Sequence, residues 1–140
     1  MNRVPMILGL CVCLMTVTGC SLLRGKVRQE PQTIVVRNAT DFTIKQVMMW
    51  SLDTHENDGP RMASISAVPR GQSAVMGRPS NPPPLPEMGR FAWVDGRGRT
   101  FAQDVDVSKV LKRSKGEDGE VLLFEVLRDN TLSVQVGAFR

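Results

Sequence analysis

Tyrosine is absent from this 140-residue chain, histidine occurs once, and aromatic residues make up only 5% of it. Stacking platforms of the kind that hold sugars or bases are therefore scarce. All three cysteines, Cys11, Cys13 and Cys20, lie near the amino terminus, and none follows position 20. The rest of the chain has no disulfide, no cysteine metal ligand and no thiol nucleophile, so a fold there rests on its apolar core. No apolar run reaches the roughly 20 residues that span a bilayer; the longest, Val4 to Val17, is broken by Pro5, Gly9 and Thr16. No serine sits in Gly-x-Ser-x-Gly, and Gly96-Arg97-Gly98 lacks the further glycine and Lys-Ser/Thr of a phosphate loop. Charge of one sign is also scarce. The net charge is +4, and Arg3 is the only charged residue among the first nineteen, so residues 20–140 carry +3. That is too mild to mark a nucleic-acid partner.

What is present begins with a leader. Arg3 and the terminal amine precede an apolar stretch of signal h-region length. Val17-Thr18-Gly19-Cys20 closes it, with small Gly19 where a peptidase needs room. Leu14 to Ser21 resembles the lipobox of bacterial lipoproteins, with Val17 where leucine is commonest in that family. The resemblance implies that Val17, Thr18 and Gly19 are recognised by the signal peptidase and that cleavage falls before Cys20. It also implies a diacylglyceryl thioether on the Cys20 sulfur and a further acyl chain, such as palmitate, on the new amino group. Two or more chains hold a protein firmly on a membrane. Ser21 stands where aspartate retains Gram-negative members at the inner membrane, so the resemblance implies the periplasmic face of the outer membrane. The expected organisation is a signal peptide over 1–19, a lipidated tether over 20–32 and a folded domain over 33–140. Arg24, Lys26 and Arg28 fit a solvated linker ended by Pro31.

The remaining chain reads as all-β. Thr33 to Asn38 is β-branched and short, and Asn38 to Asp41 carries turn chemistry. From Phe42 to Leu52, Ile44, Met48 and Trp50 share one parity and Thr43, Lys45, Val47 and Met49 the other: a half-buried strand, with a helix open for its second half. Met62 to Val68 and Ser73 to Met76 flank a turn at Pro69-Arg70-Gly71-Gln72. Arg78 to Gly89 holds five prolines and cannot supply a sheet with amide donors. It reads as an extended loop crossing between sheets, and its Pro82-Pro83-Pro84-Leu85-Pro86 is the candidate exposed recognition element. Arg90 to Val94 and Arg99 to Val105 form a hairpin about Asp95 to Gly98, with Phe91, Trp93, Phe101 and Val105 inward. Asp106 caps a short helix near 107–113 with Val107, Val110 and Leu111 on one side. Glu120 to Arg128 and Thr131 to Phe139 form a last hairpin about a two-residue Asp129-Asn130 turn. Val121 to Leu127 is apolar on both parities, as a central strand is. Seven or eight short strands and one helix predict an immunoglobulin-like or transthyretin-like β-sandwich.

The candidate chemistry is thin. His55 lies in Asp53-Thr54-His55-Glu56-Asn57-Asp58, but a calcium loop needs an earlier glycine than Gly59 and a distal acid. A solvated loop explains it without a metal, and no cofactor is expected. Asp104 and Asp106 are a possible carboxylate pair, better explained as an outward strand residue and a helix cap. Ser64, Ser66 and Ser73 have no catalytic context. Lys109, Lys112, Arg113 and Lys115 suit the end of a helix, where positive charge complements the dipole. These observations predict a non-catalytic envelope lipoprotein that contacts another envelope protein or an assembly. Its layout is similar to that of secretion-apparatus lipoproteins. The alternative is a periplasmic module for lipid, glycan or metal, which exposed Trp50 and Trp93 side by side or a deep apolar cavity between the sheets would favour. A hydrolase is a third reading, requiring His55 beside a serine and a carboxylate.

Overall fold

A computed structural model describes residues 30–53 and 61–139. The order is β1 (Thr33–Asn38), β2 (Ile44–Ser51), β3 (Arg61–Val68), β4 (Ser73–Val75), β5 (Met88–Val94), β6 (Thr100–Asp106), α1 (Val107–Leu111), β7 (Glu120–Val126) and β8 (Leu132–Ala138). Two four-stranded sheets, ordered β4-β1-β7-β8 and β3-β2-β5-β6, face each other. The chain is therefore an all-β sandwich with one short helix. All pairings are antiparallel except β1 with β7, which run parallel from Thr33↔Val121 to Asn38↔Val126.

Aromatic rings join the sheets. Phe91 of β5 stacks on Phe124 of β7 at 4.5 Å, Trp93 lies 5.8 Å from Phe91, and Phe101 stacks on Trp93 at 5.6 Å. Ile34, Val36, Ile44, Val47, Met49 and Leu122 fill the space around them and are fully buried. Phe91, Trp93 and Val105 point inward as expected and Phe101 is half-buried against them. Val35, Val121 and Leu123, of the other parity, form a second small buried cluster. That is why β7 reads as apolar on both faces.

The alternation in β2 breaks at Gln46. Its φ is 48°, and the β2–β5 register shifts between Lys45 and Met48. This bulge moves the inward set from Ile44 to Val47, Met49 and Ser51, while Met48 and Trp50 are only half-buried. One extra residue is enough to exchange the faces of a strand.

The last hairpin also differs from expectation. Leu127 N–H donates to Thr131 O and Asn130 N–H to Leu127 O, both at 2.9 Å, so Arg128, Asp129 and Asn130 make a three-residue loop. Only Asn130 takes positive φ, at 59°. Asp95 to Arg99 repeats the pattern: Asp95 N–H donates to Arg99 O, Gly98 N–H to Asp95 O, and Gly98 has φ 78°. Both are a tight turn followed by one left-handed residue.

Strand direction gives the sandwich two distinct ends. Residues 38–43, 69–72, 95–99 and 127–131 meet at one, the turn pole. Residues 30–32, 76–87 and 107–119 meet at the other, the tether pole, which holds Glu30, the first described residue. Helix α1 contacts both β5 and β8 there, with Val107 buried and Val110 and Leu111 against the core.

Candidate interaction surface

The turn pole is built on Asn38. Its side chain is fully buried and donates from Nδ2 to Phe42 O at 2.6 Å and to Val68 O at 2.8 Å. Its Oδ1 accepts from the Thr40 amide at 2.9 Å and the Thr40 hydroxyl at 2.7 Å. Its backbone bonds Gln72 O and the Gly71 amide. One residue thus ties the ends of β1 and β3 to the start of β2, with all four amide hydrogen-bonding positions filled. The neighbouring hairpin tip closes on Asp95, whose buried carboxylate accepts from the Arg97 and Arg99 amides at 2.9 Å each and from Arg99 Nε at 2.9 Å. Burial opposes the charge on Asp95, but these donors outweigh it and hold the carboxyl below the usual range. Gly96 packs directly under Phe42, where any Cβ would collide with the ring.

Four arginines crown this pole. Arg70 and Arg128 approach the same Asp41 oxygen at 3.5 and 3.8 Å, with 66% and 77% of their side chains exposed. Arg97 lies 5.9 Å from the Phe42 ring centroid, and Arg99 pairs with Asp95 at 2.7 Å. Between residues 40–42, 95–99 and 128–130 lies an open cleft of about 250 Å³. Asp41, Asp95 and Asp129 offset three of the four arginines and leave this end one positive charge in surplus, well screened and easily re-paired.

The tether pole is a strap. Asp53 accepts from the Glu87 and Met88 amides at 2.8 Å each, and Glu87 O accepts from the Val107 and Ser108 amides at 2.9 and 3.1 Å. Arg78 donates to Gln32 O at 2.9 Å and to Pro83 O at 2.6 Å. The proline segment therefore crosses from β4 in one sheet to β5 in the other, fastened at both ends. Pro86 is buried and Leu85 packs on the core, while Pro82 and Pro84 are exposed and Pro83 half-buried. Only Pro82 and Pro84 remain available from the expected recognition element. A cleft of about 310 Å³ separates this strap from α1, lined by Leu85, Pro86, Ser108 and Leu111 among others.

The carboxylates are engaged structurally. Asp106 caps α1, accepting from the Lys109 amide at 2.9 Å and the Ser108 hydroxyl at 2.8 Å. Asp104 makes a two-pronged pair with Arg90, at 2.7 and 3.0 Å. Glu120 closes the segment after α1, accepting from the Ser114 hydroxyl and the Lys115 and Gly116 amides. These contacts hold all three below the ordinary carboxylate range. Trp93 is buried and faces the core, whereas Trp50 lies opposite Arg90 on the other face of its sheet. The tryptophans do not stand side by side.

Val17, Thr18, Gly19, Cys20, His55, Glu56 and Asp58 lie outside the described residues, so the structure brings none of them to a site. Among the described residues, no three His, Cys, Asp or Glu side chains gather as metal ligands, and no helix is long and apolar enough to cross a membrane. The sequence places Asn38 in a turn and Asp53 in a polar loop but does not show what they fasten, because Val68 lies 30 residues from Asn38 and Glu87 34 residues from Asp53.

No protein-family model matches the chain, and comparison with curated proteins finds no match. Among solved structures, the chain is similar to the NMR structure of a protein from Eubacterium rectale. The two are 14% identical, with a TM-score of 0.38, over 76% of this chain and 88% of that one.

Proposed function

We propose that the chain is an envelope lipoprotein, held by acyl chains on Cys20 at the periplasmic face of the outer membrane. Its non-catalytic sandwich contacts another envelope protein or an assembly. The observation that carries this reading is the polarity of the fold: Glu30, the first described residue, lies at one pole and Arg70, Arg97, Arg99 and Arg128 sit at the other. A chain tethered through residues 20–32 carries those arginines at the end of the fold opposite its anchor. The engagement of Asp95, Asp104, Asp106 and Glu120 as caps and pairs supports a binding rather than a catalytic role. Specific partners are met through such charged, loop-borne surfaces more often by steering than by raw affinity.

Two experiments test the reading. Cys20→Ala is expected to shift the protein from the membrane to the soluble fraction and to abolish palmitate incorporation; full membrane retention contradicts the anchor. A photo-crosslinking residue at Arg97 is expected to capture a discrete envelope protein in living cells, and one at Ser66 is not. Equal capture at both positions contradicts a partner at the turn pole.

A further inference from the structure

Four strands end the two sheets, and three of them are guarded. Strand β4 has only three residues. Strand β3 carries Arg61 and is bridged to Gly77, with Ser64 and Gly77 exchanging amide hydrogen bonds at 2.9 Å. Strand β6 carries Asp104 and Asp106. Strand β8 has none of these devices, and α1, which packs against it, makes no hydrogen bond to it: Leu132-Ser133-Val134-Gln135-Val136-Gly137-Ala138 is seven residues long, with no charge and no proline. Folded proteins blunt such edges, because an open ladder of amides and carbonyls recruits another strand.

The hydrogen-bond parity of this edge can be derived. Leu127 N–H bonds Thr131 O, and along an antiparallel ladder bonded pairs alternate, so Ser133, Gln135 and Gly137 point their backbone groups toward β7. Val126 O agrees, since it bonds Ala39 N–H and so turns away from β8. Leu132, Val134, Val136 and Ala138 therefore aim their N–H and C=O outward. Among the described residues, hydrogen bonds join β8 to β7 and to no other element.

We propose that this edge pairs with β8 of a second copy of the chain, antiparallel about a two-fold axis through Gln135. That axis sets Val134 opposite Val136 and Leu132 opposite Ala138, so every outward amide meets an outward carbonyl. Any other residue on the axis would leave part of the seven-residue ladder unmatched. Gln135 then faces its own copy as a non-hydrogen-bonded pair, with Cα atoms about 4.5 Å apart. Its exposed amide side chain is neutral and self-complementary, and no like charges meet across the axis. The two tether poles point in opposite directions in such a pair. Seven strand residues span about 24 Å, whereas residues 20–29 reach up to about 33 Å when extended. Both chains can therefore start from one membrane, although the pairing does not depend on an anchor.

Disulfide trapping in the full chain, expressed in cells and judged against the unsubstituted chain, tests the axis. Gln135→Cys places two thiols within disulfide reach and is expected to give a species of twice the mass on oxidation. Ser133→Cys is expected to give none, because the two copies of residue 133 lie about 14 Å apart in this register. Absence of the Gln135→Cys species, equal trapping at 133, or a trapped species of another mass would each overturn the proposal. In detergent, sedimentation of the full chain is expected to show a monomer–dimer equilibrium. Gln135→Lys, which sets two ammonium groups across the axis, should weaken it several-fold without moving the thermal midpoint measured at concentrations where the chain is monomeric. A monomer at every concentration also overturns it.

Discussion

The two poles solve the same problem, closing the ends of eight strands, in opposite ways. At the turn pole the connections are three to five residues long, and short polar side chains seal them: Asn38, Asp95 and Asp129. At the tether pole they are long, and side chains fasten distant segments to one another: Asp53 to residues 87–88, Arg78 to Gln32 and Pro83, Glu120 to residues 114–116. A tight turn uses local geometry and leaves arginines free to face solvent. A strap engages Asp53, Arg78 and Glu120 in holding itself together. The difference teaches where binding chemistry has room on this scaffold, and it can be attacked residue by residue.

The largest effect is expected at Asn38. Asn38→Ala leaves Val68 O, Phe42 O and Thr40 without their buried partner and should lower stability by about 2–4 kcal/mol, measured by urea unfolding. Next comes Asp53 at the opposite pole. Asp53→Ala removes two amide-to-carboxylate bonds and should cost about 1–3 kcal/mol, with faster hydrogen exchange at Glu87 and Met88 as its local signature. An exchange pattern unchanged there would mean the strap does not depend on that carboxylate.

Gly98→Ala places a side chain at φ 78° in open space and should cost about 1 kcal/mol, whereas Asn130→Gly, at the equivalent position of the other hairpin, should be neutral or slightly stabilising. The smallest effect is expected at Arg128, whose side chain is 77% exposed and 3.8 Å from Asp41. Arg128→Ala should change stability by under about 0.5 kcal/mol. A larger loss would make the crown of arginines part of the fold.

Acid sharpens the contrast further. Asp95 and Asp129 at the turn pole, and Asp106 and Glu120 at the tether pole, are all held below their ordinary values by hydrogen bonds to the charged form. A depressed folded-state value means their contribution is present above about pH 4 and is lost as pH falls through the folded-state values. The thermal midpoint should therefore drop below about pH 4, less steeply in Asp95→Asn and Glu120→Gln. A pH-independent midpoint down to pH 3 contradicts these roles.

Much of the scaffold was legible locally. The β-branched run of β1, the Asp106 cap and the glycines and prolines that end elements all work through neighbours in the chain, so residues 33–38 and the helix after 106 could be placed from sequence. Gln46 hid its bulge, because positive φ is uncommon for glutamine and leaves no mark in composition. The three-residue loop at 128–130 was mistaken for two because Asp129 tolerates positive φ without adopting it. The parallel β1–β7 pair, the Asn38 knot and the Asp53 clasp depend on segments brought together only by the finished fold. The candidate surface was the least legible part, since its arginines are scattered from Arg70 to Arg128 and converge only through the turns.

The tethered reading stands or falls on the amino terminus of the mature protein. Mass spectrometry of the N-terminal peptide from membrane-purified protein should find a chain that begins at Cys20, with a diacylglyceryl group on the sulfur and a further acyl group on the amine. A peptide that retains residues 1–19, or that carries an unmodified thiol at Cys20, would contradict the account.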